Sequence, residues 1–398
     1  MKLTKGGLLV VVGIVVLSAF LANVAQLIAI EAAEGEERRF DGRPEDVSIG
    51  DSADNVVWFV QISDLHLSIF QDPDRTIEFR DFCEKTLEII KPPVVLATGD
   101  LTDAKSKDNV GSRQFEAEWK KYNEILTGCS QLKETTWLDI RGNHDNFDVP
   151  GISSERNYFR KYSMQGKHHP RSYEYKLVKG NVTYSFIGID ACPNQGLKRP
   201  FNFIGLLQEK DLQEIRRLAV LANSSDYTIW FGHYPTSCIW SHPPGVKSII
   251  SSVKGSLAYV CGHFHSLLGF VPKMYTIQKQ GFYELELADW KDNRMFRVMA
   301  IDHGLFSFVD EKYNDWPVIL ITNPKHAQFQ LFSKEPLRST STSTHIRILV
   351  FSPSTVLSVM VKIDENNWEN CLESKIKNLF VLKWDPKSFS TGIHSIEV

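Results

Sequence analysis

Five segments of the chain each end an apolar run on side chains able to bind a metal or move a proton. QISDLHLS carries Asp64 and His66, LATGDLTD carries Asp100, and IRGNHDNF carries Asn143 and His144. WFGHYP carries His233, and CGHFH carries His263 and His265. In extended backbone, residues i and i+2 point the same way, so His263 and His265 can face one target. One such pair alone is an ordinary surface loop. Five polar tips in succession, each at the exit of a strand-like run, are a stronger signal, because the carboxyl ends of strands form the ligand crevice of open α/β sheets.

The residue types fit one chemistry. Carboxylate, imidazole and carboxamide without thiolate suit divalent Mn, Fe or Zn. Seven ligating groups, Asp64, His66, Asp100, Asn143, His233, His263 and His265, exceed the needs of one ion, and His144 is left spare. Asp100 follows Gly99, so its carboxylate can approach two ions closely. With two ions ~3.5–4 Å apart, a bridging hydroxide is available at neutral pH for in-line attack on phosphorus. Such a cluster keeps a net charge of about +1 and favours an anionic phosphoester.

The elements that must position these groups alternate in type. VVWFVQIS, VVLATGD and TWLDIRGNHD read as buried strands with their exits. RTIEFRDFCEKTLEII reads as an amphipathic helix ending at Lys91-Pro92-Pro93. SRQFEAEWKKYNEIL reads as a second, with Phe115, Trp119, Tyr122 and Leu126 on one stripe. VTYSFIGID, YTIWFGH and LAYVCGH repeat the strand-then-polar-tip pattern. This alternation predicts βαβ units in a mostly parallel sheet covered on both faces. From about Trp316 the pattern changes to short strand-like segments, VILITNP, HAQFQLF, HIRILVFS, VLSVMVKID and LFVLKWD, as in a small all-β sandwich.

The 398 residues are 42% apolar and 23% charged, ordinary for globular domains, and the net charge of −3 gives no reason to expect nucleic acid. Residues 6–30 carry no charge until the helix-length run ends, which is long enough to cross a bilayer. Two readings stand, an uncleaved anchor and a cleaved signal peptide. Lys2 and Lys5 precede the run and Glu31, Glu34, Glu36 and Glu37 follow it, which sends the rest to the lumenal or extracellular side. The sequons at Asn181 and Asn223 agree with that side as glycan acceptors. Six scattered cysteines show no CxxC pair, which excludes a zinc knuckle or a thioredoxin-type site. The expected organisation is 1–30 anchor or signal, 31–54 linker, 55–312 α/β domain and 313–398 β domain.

DxH, GD, GNHD, GH and GHxH in this order resemble the calcineurin-like metallophosphoesterase superfamily, over roughly residues 56–310. The resemblance implies an α/β fold with a β-sandwich core flanked by helices. It implies that Asp64, His66, Asp100 and His265 hold one metal, and Asp100, Asn143, His233 and His263 the other. His144 would then be the general acid that protonates the leaving oxygen. The purple acid phosphatase branch has a tyrosine ligand where this chain has Asp103, so Asp103 is expected to orient a ligating imidazole instead. Arg141 is expected either to touch substrate phosphate or to pair with Asp139 and Asp145. LATGDLTDAK, WLDIRGNHD and ADWKDNR extend the likeness to a membrane phosphoesterase-like family. In that family an N-terminal anchor and an Ig-like β domain flank the phosphoesterase domain. The chain ends at GIHSIEV, inside a strand-like run, which suggests a truncated β domain whose last strand lacks a partner.

The expected activity is therefore hydrolysis of phosphoesters, lipid-linked or nucleotide. The alternative is a membrane-tethered binding or scaffold module that keeps a structural metal site.

Overall fold

The computed structural model describes residues 47–398, together with Gly13 and residues 15–20. The membrane span expected over residues 6–30 lies for the most part outside the described residues. Among the described residues, no helix is long and apolar enough to cross a membrane.

β1 (Val56–Ile62) is buried along its whole length, as an apolar run without alternation requires. It pairs in parallel with β2 (Val94–Ala97), and β2 pairs in parallel with β3 (Thr136–Asp139). α1 (Asp74–Asp81) runs on through a π-turn (Phe82–Thr86) to Ile90, and α2 (Glu116–Gly128) starts just after Phe115. A second sheet begins with the hairpin β4 (Tyr173–Lys179) and β5 (Val182–Ile189). β5 continues in parallel through β6 (Tyr227–Gly232), β7 (Ser256–Cys261) and, after the edge strand β8 (Met274–Gln278), β9 (Phe282–Glu286). β10 (Met295–Asp302) and β11 (Leu305–Lys312) then return antiparallel beside β1 to complete the first sheet. α3 (Glu209–Ala222) and α4 (Val246–Ser252) lie on the second sheet.

The alternation had predicted one mostly parallel sheet. Instead there are two, each with a parallel centre and antiparallel edges, in the sandwich that the family resemblance implied. The reason is visible in the burial. Val57, Phe59, Val94 and Leu96 of one sheet face Phe186, Ile229, Phe231 and Val260 of the other in a shared core. Val56, Trp58 and Val60, on the opposite face of β1, pack with Phe79, Trp119 and Tyr122 of the helices.

The C-terminal β domain has β12 (Val318–Asn323), β13 (His345–Phe351) and β15 (Leu379–Lys383) in one sheet, with the short strand Leu372–Glu373 at its edge, and β14 (Met360–Ile363) and β16 (Ile396–Glu397) in the other, with the short strand Glu369–Asn370. β13 is buried on both faces. Ile346, Ile348 and Val350 enter the β domain's own core, while Leu349 and Phe351 join the α/β domain's core. Arg347, between them, donates from Nε to Asp302 Oδ2 at 2.7 Å across the junction. Two expectations fail. HAQFQLF forms turns rather than a strand, with Phe329 packed on Tyr275 and Phe308. The last strand does have a partner, since Ile396 pairs with Ile363. All six cysteines are free and five are buried.

Candidate metal centre

The parallel register brings the tips together. Ile62 aligns with Ala97, and Ala97 with Asp139, so Asp64, Asp100 and Asn143 leave neighbouring strands at one edge. Hydrogen bonds from Asp64 N to Gly99 O (3.0 Å) and from His66 N to Asp100 O (2.9 Å) fasten the first two exits. The third and second are fastened by Asp145. Its Oδ2 accepts from the N–H of Gly142 (2.8 Å) and Leu101 (3.1 Å), and its Oδ1 from the N–H of Thr102 (3.0 Å). The motif glycines have a steric cause. A Cβ on Gly142 would lie 2.1 Å from Asp100 Oδ1, and one on Gly262 would lie 2.1 Å from Asp64 Oδ2.

Five of the seven candidate ligands hold the left-handed backbone conformation: Asp64 (φ 54°), His66 (φ 46°), Asp100 (φ 51°), His263 (φ 90°) and His265 (φ 50°). Each costs about 1–2 kcal/mol for a residue with a Cβ. Strain gathered on one set of polar side chains is what a functional site stores.

The donor atoms fall into two sets. In the first, His265 Nε2 lies 3.0 Å from Asp64 Oδ1 and 3.1 Å from His66 Nε2, and His66 Nε2 lies 3.5 Å from Asp100 Oδ2. In the second, His233 Nε2 lies 2.9 Å from Asn143 Oδ1, 3.1 Å from His263 Nδ1 and 3.4 Å from Asp100 Oδ1. Donors held ~2.0–2.2 Å from one ion at tetrahedral or right angles sit ~3.0–3.4 Å apart, close to these separations. The protonation pattern agrees. His233 Nδ1 faces the carbonyl of Thr98 at 2.9 Å and must donate to it, so Nε2 presents a lone pair toward two further acceptors and a second imidazole. A cation among these atoms satisfies all of them at once. The residues present therefore fit divalent metal ions.

Electrostatics point the same way. Burial lowers His66 and His263, and takes His233 down to about 4, so these imidazoles are neutral and ready to ligate. Burial, then the nearby Asp64 and Asp145 carboxylates, pushes Asp100 well above the usual carboxylate range. Burial opposes ionisation of Asp64, but His265, His66 and His233 outweigh it and hold it well below that range.

His144 stands beside both sets and within neither. Its Nδ1 donates to Asp103 O at 2.6 Å, leaving Nε2 3.9 Å from Asp100 Oδ2, and 11% of its side chain stays exposed. Asp103 Oδ1 lies 3.3 Å from His66 Nδ1 and 3.1 Å from Lys105 Nζ. Arg141 is buried and pairs with neither expected neighbour. Its Nε and Nη2 both donate to Asp190 Oδ2, at 2.9 and 2.6 Å. The carboxylate of Asp190 arrives from β5's exit, which no spacing around Arg141 reveals. Sequence reasoning also missed Asp145 as a fastener and Glu118, whose carboxylate accepts from Ile69 N and Ala104 N and is pushed by burial up to about 8. Glu118 is the one charged residue on the helix's buried face, beside Trp119, Tyr122, Ile125 and Leu126, the one signal available. Asn181 and Asn223 are both exposed.

Residues 57–267 match the calcineurin-like phosphoesterase family, and residues 313–396 match the TMEM62 Ig-like domain. Transmembrane protein 62 of Mus musculus is 47% identical over 350 residues, covering 88% of this chain and 53% of that protein. An Arabidopsis thaliana protein named as a metallophosphoesterase is 32% identical over 372 residues, covering 79% of this chain and 49% of that protein. The chain thus spans about half the length of the curated relatives it matches. Among solved structures, a dimetal phosphatase from Danio rerio aligns with a TM-score of 0.48 at 15% identity, covering 66% of this chain and 100% of that one.

Proposed function

Because the chain belongs to the calcineurin-like phosphoesterase family, we propose that it hydrolyses phosphoesters at a centre for two divalent metal ions. The observation that carries this reading is Asp100, whose Oδ2 lies 3.5 Å from His66 Nε2 and whose Oδ1 lies 3.4 Å from His233 Nε2, one oxygen toward each donor set. Asp64, His66, Asp100 and His265 then hold one ion, and Asp100, Asn143, His233 and His263 the other. When bound, two such ions polarise a phosphoryl oxygen and make a water acidic enough to ionise near neutral pH. Asp103 orients His66 through Nδ1. The Asp103 carbonyl holds His144 with Nε2 turned toward the centre, where the ring would pass a proton to the leaving oxygen, against the burial and the nearby His66 and Lys105 that lower its pKa well below the usual imidazole value. Arg141, tied to Asp190, takes no part in binding phosphate.

The unit from 55 to 312 is the catalytic domain and that from 313 to 398 its docked β partner. The uncharged run of residues 6–30, the lysines before it and the exposed Asn181 and Asn223 support attachment to a membrane, with the catalytic domain on the lumenal or extracellular side. A scaffold that keeps metal for stability has no need of His144, which stands outside both sets.

Metal analysis and a hydrolysis screen with Mn²⁺ test the reading. The wild-type chain should carry two ions and cleave members of a monoester and diester panel. Asp100→Asn should lose both ions, and His66→Ala mainly one. An Asp100→Asn protein retaining a single undisturbed ion would overturn the two-ion centre.

A further inference from the structure

Beside the donor sets, large apolar side chains face solvent. Phe270 is 85% exposed, Phe201 76% and Trp240 62%, and Leu197 and Leu267 are exposed with them. Each hangs on a segment that also carries or braces a ligand. Leu267 and Phe270 follow His265 directly. Phe201 precedes Asn202, whose side-chain amide donates to Asn143 O at 3.1 Å. Trp240 lies in a short strand (Ile239–Ser241) after His233, in register with Leu206 of the strand Gly205–Leu207. The segments touch each other, since the Phe203 ring lies 4.3 Å from that of His263 and 5.9 Å from that of Phe264. The segments carrying these exposed side chains therefore meet beside the donor sets, at the mouth of the centre, and clustered exposed apolar groups mark an interaction surface.

Charge identifies what the surface meets. The chain has 48 acidic residues and a net charge of −3, yet no Asp or Glu occurs between Asp190 and Glu209 or between Asp226 and Glu284. All five apolar residues fall in these two stretches, alongside Lys198, Arg199 and Lys273. Lys198 makes one loose pair, 3.9 Å from Asp148. Other segments bring Asp148 beside Lys198 and Asp292 near His265, and apolar side chains interspersed with lysine and arginine are the composition that enters a bilayer interface while its cations bind lipid phosphate.

The apolar run of residues 6–30 does not by itself bring the centre to a membrane. The chain enters the described domain at the start of β1, where Ile49 O accepts from Thr344 N, and the ligands leave the opposite ends of the strands. Residues 31–46 have a contour of at most ~55 Å, enough for the domain to lie with its mouth against the bilayer.

We propose that Leu197, Phe201, Trp240, Leu267 and Phe270 dock the mouth of the centre on an anionic bilayer surface. The phosphoester it takes is then carried by a lipid head group, a conclusion that rests on the hydrolase reading above. The full chain in vesicles of phosphatidylcholine and phosphatidylserine with brominated acyl chains tests the docking. No tryptophan precedes Trp58, so the N-terminal run is silent, and comparison with Trp240→Phe isolates the signal of the rim. Bromine should quench the wild-type protein more than Trp240→Phe. Phe270→Ser and Phe201→Ser should each lower turnover of vesicle-resident phospholipid about tenfold, as loss of about half a phenylalanine's burial predicts. Both should leave soluble nitrophenyl phosphate hydrolysis unchanged.

Equal quenching in wild type and Trp240→Phe overturns the docking, even if nitrophenyl phosphate is cleaved. Serine variants that slow both substrates alike overturn it too. Quenching with soluble turnover, but with no cleavage across a panel of phospholipid head groups, overturns the lipid substrate. Quenching with no turnover of any kind leaves the docking intact and removes the hydrolase reading instead.

Discussion

Replacing Asp145 should unfasten the centre, by an amount its hydrogen bonds set. The carboxylate is fully buried and accepts three backbone N–H groups, from Gly142, Leu101 and Thr102, plus the Thr102 hydroxyl at 3.3 Å. Asp145→Ala leaves three buried donors without acceptors, at about 1–3 kcal/mol each, less what entering water recovers, so about 3–6 kcal/mol in all. Burial pushes the carboxyl up to about 7, so ionising it costs stability at neutral pH and the lower half of that range is expected. Asp145→Asn keeps one oxygen for Gly142 and Leu101 and turns its NH₂ toward Thr102. There it can donate to the hydroxyl but leaves one N–H orphaned, at about 1–3 kcal/mol. Urea unfolding with a chelator present measures both variants without the contribution of bound metal, and the slope should not change. In the holo protein, the freed Asp100 and Asn143 segments should bind metal about 10–100-fold more weakly. The reasoning fails if Asp145→Ala unfolds within about 0.5 kcal/mol of wild type, or if Asn is as damaging as Ala.

Three further outcomes are expected. His144→Asn should keep both metals yet lose roughly 10²–10⁴-fold in rate on leaving groups of high pKa, with nitrophenolate nearly spared, and metal loss in this variant would make His144 a ligand. Burial opposes ionisation of Asp302, but His303 and Arg347 hold its carboxyl below the usual range. Its contribution is therefore present above the unfolded value of about 3.9 and lost as pH falls below it. Arg347→Met should cost about 3–5 kcal/mol at neutral pH and much less in acid, and thermal unfolding showing a pH-independent difference would contradict this. Chain made in a secretory host should shift on endoglycosidase treatment and lose the shift when Asn181 and Asn223 are both changed to Gln; an unshifted wild type would contradict the lumenal side.

The kind of chemistry was legible because it is local. An apolar strand must end before a polar side chain can project from its tip, so QIS-Asp64, TG-Asp100, G-Asn143-His144, G-His233 and G-His263 announce themselves without a partner in view. The β domain was legible for the same reason, since HIRILVF is too apolar on both sides of its pleat to face water. Its role was not, because the same apolar pattern serves a free sandwich or one docked on a neighbour. HAQFQLF shows the limit directly, for its composition suits a strand while its Phe329 is drawn off to pack on Tyr275 and Phe308.

What only the tertiary structure decided is which distant groups meet. Arg141 had two acidic neighbours in sequence and chose Asp190, 49 residues on, because backbone direction at a strand exit outranks proximity along the chain. The role of Asp145 follows from the alignment of Ile62, Ala97 and Asp139 across three parallel strands, and the division of donors into two sets around Asp100 needs the exits of β6 and β7 from the other sheet as well. Residue type and short spacing depend on a few adjacent dihedrals and can be read in sequence. Register between strands depends on the packing of both sheets at once, and no local stretch contains it.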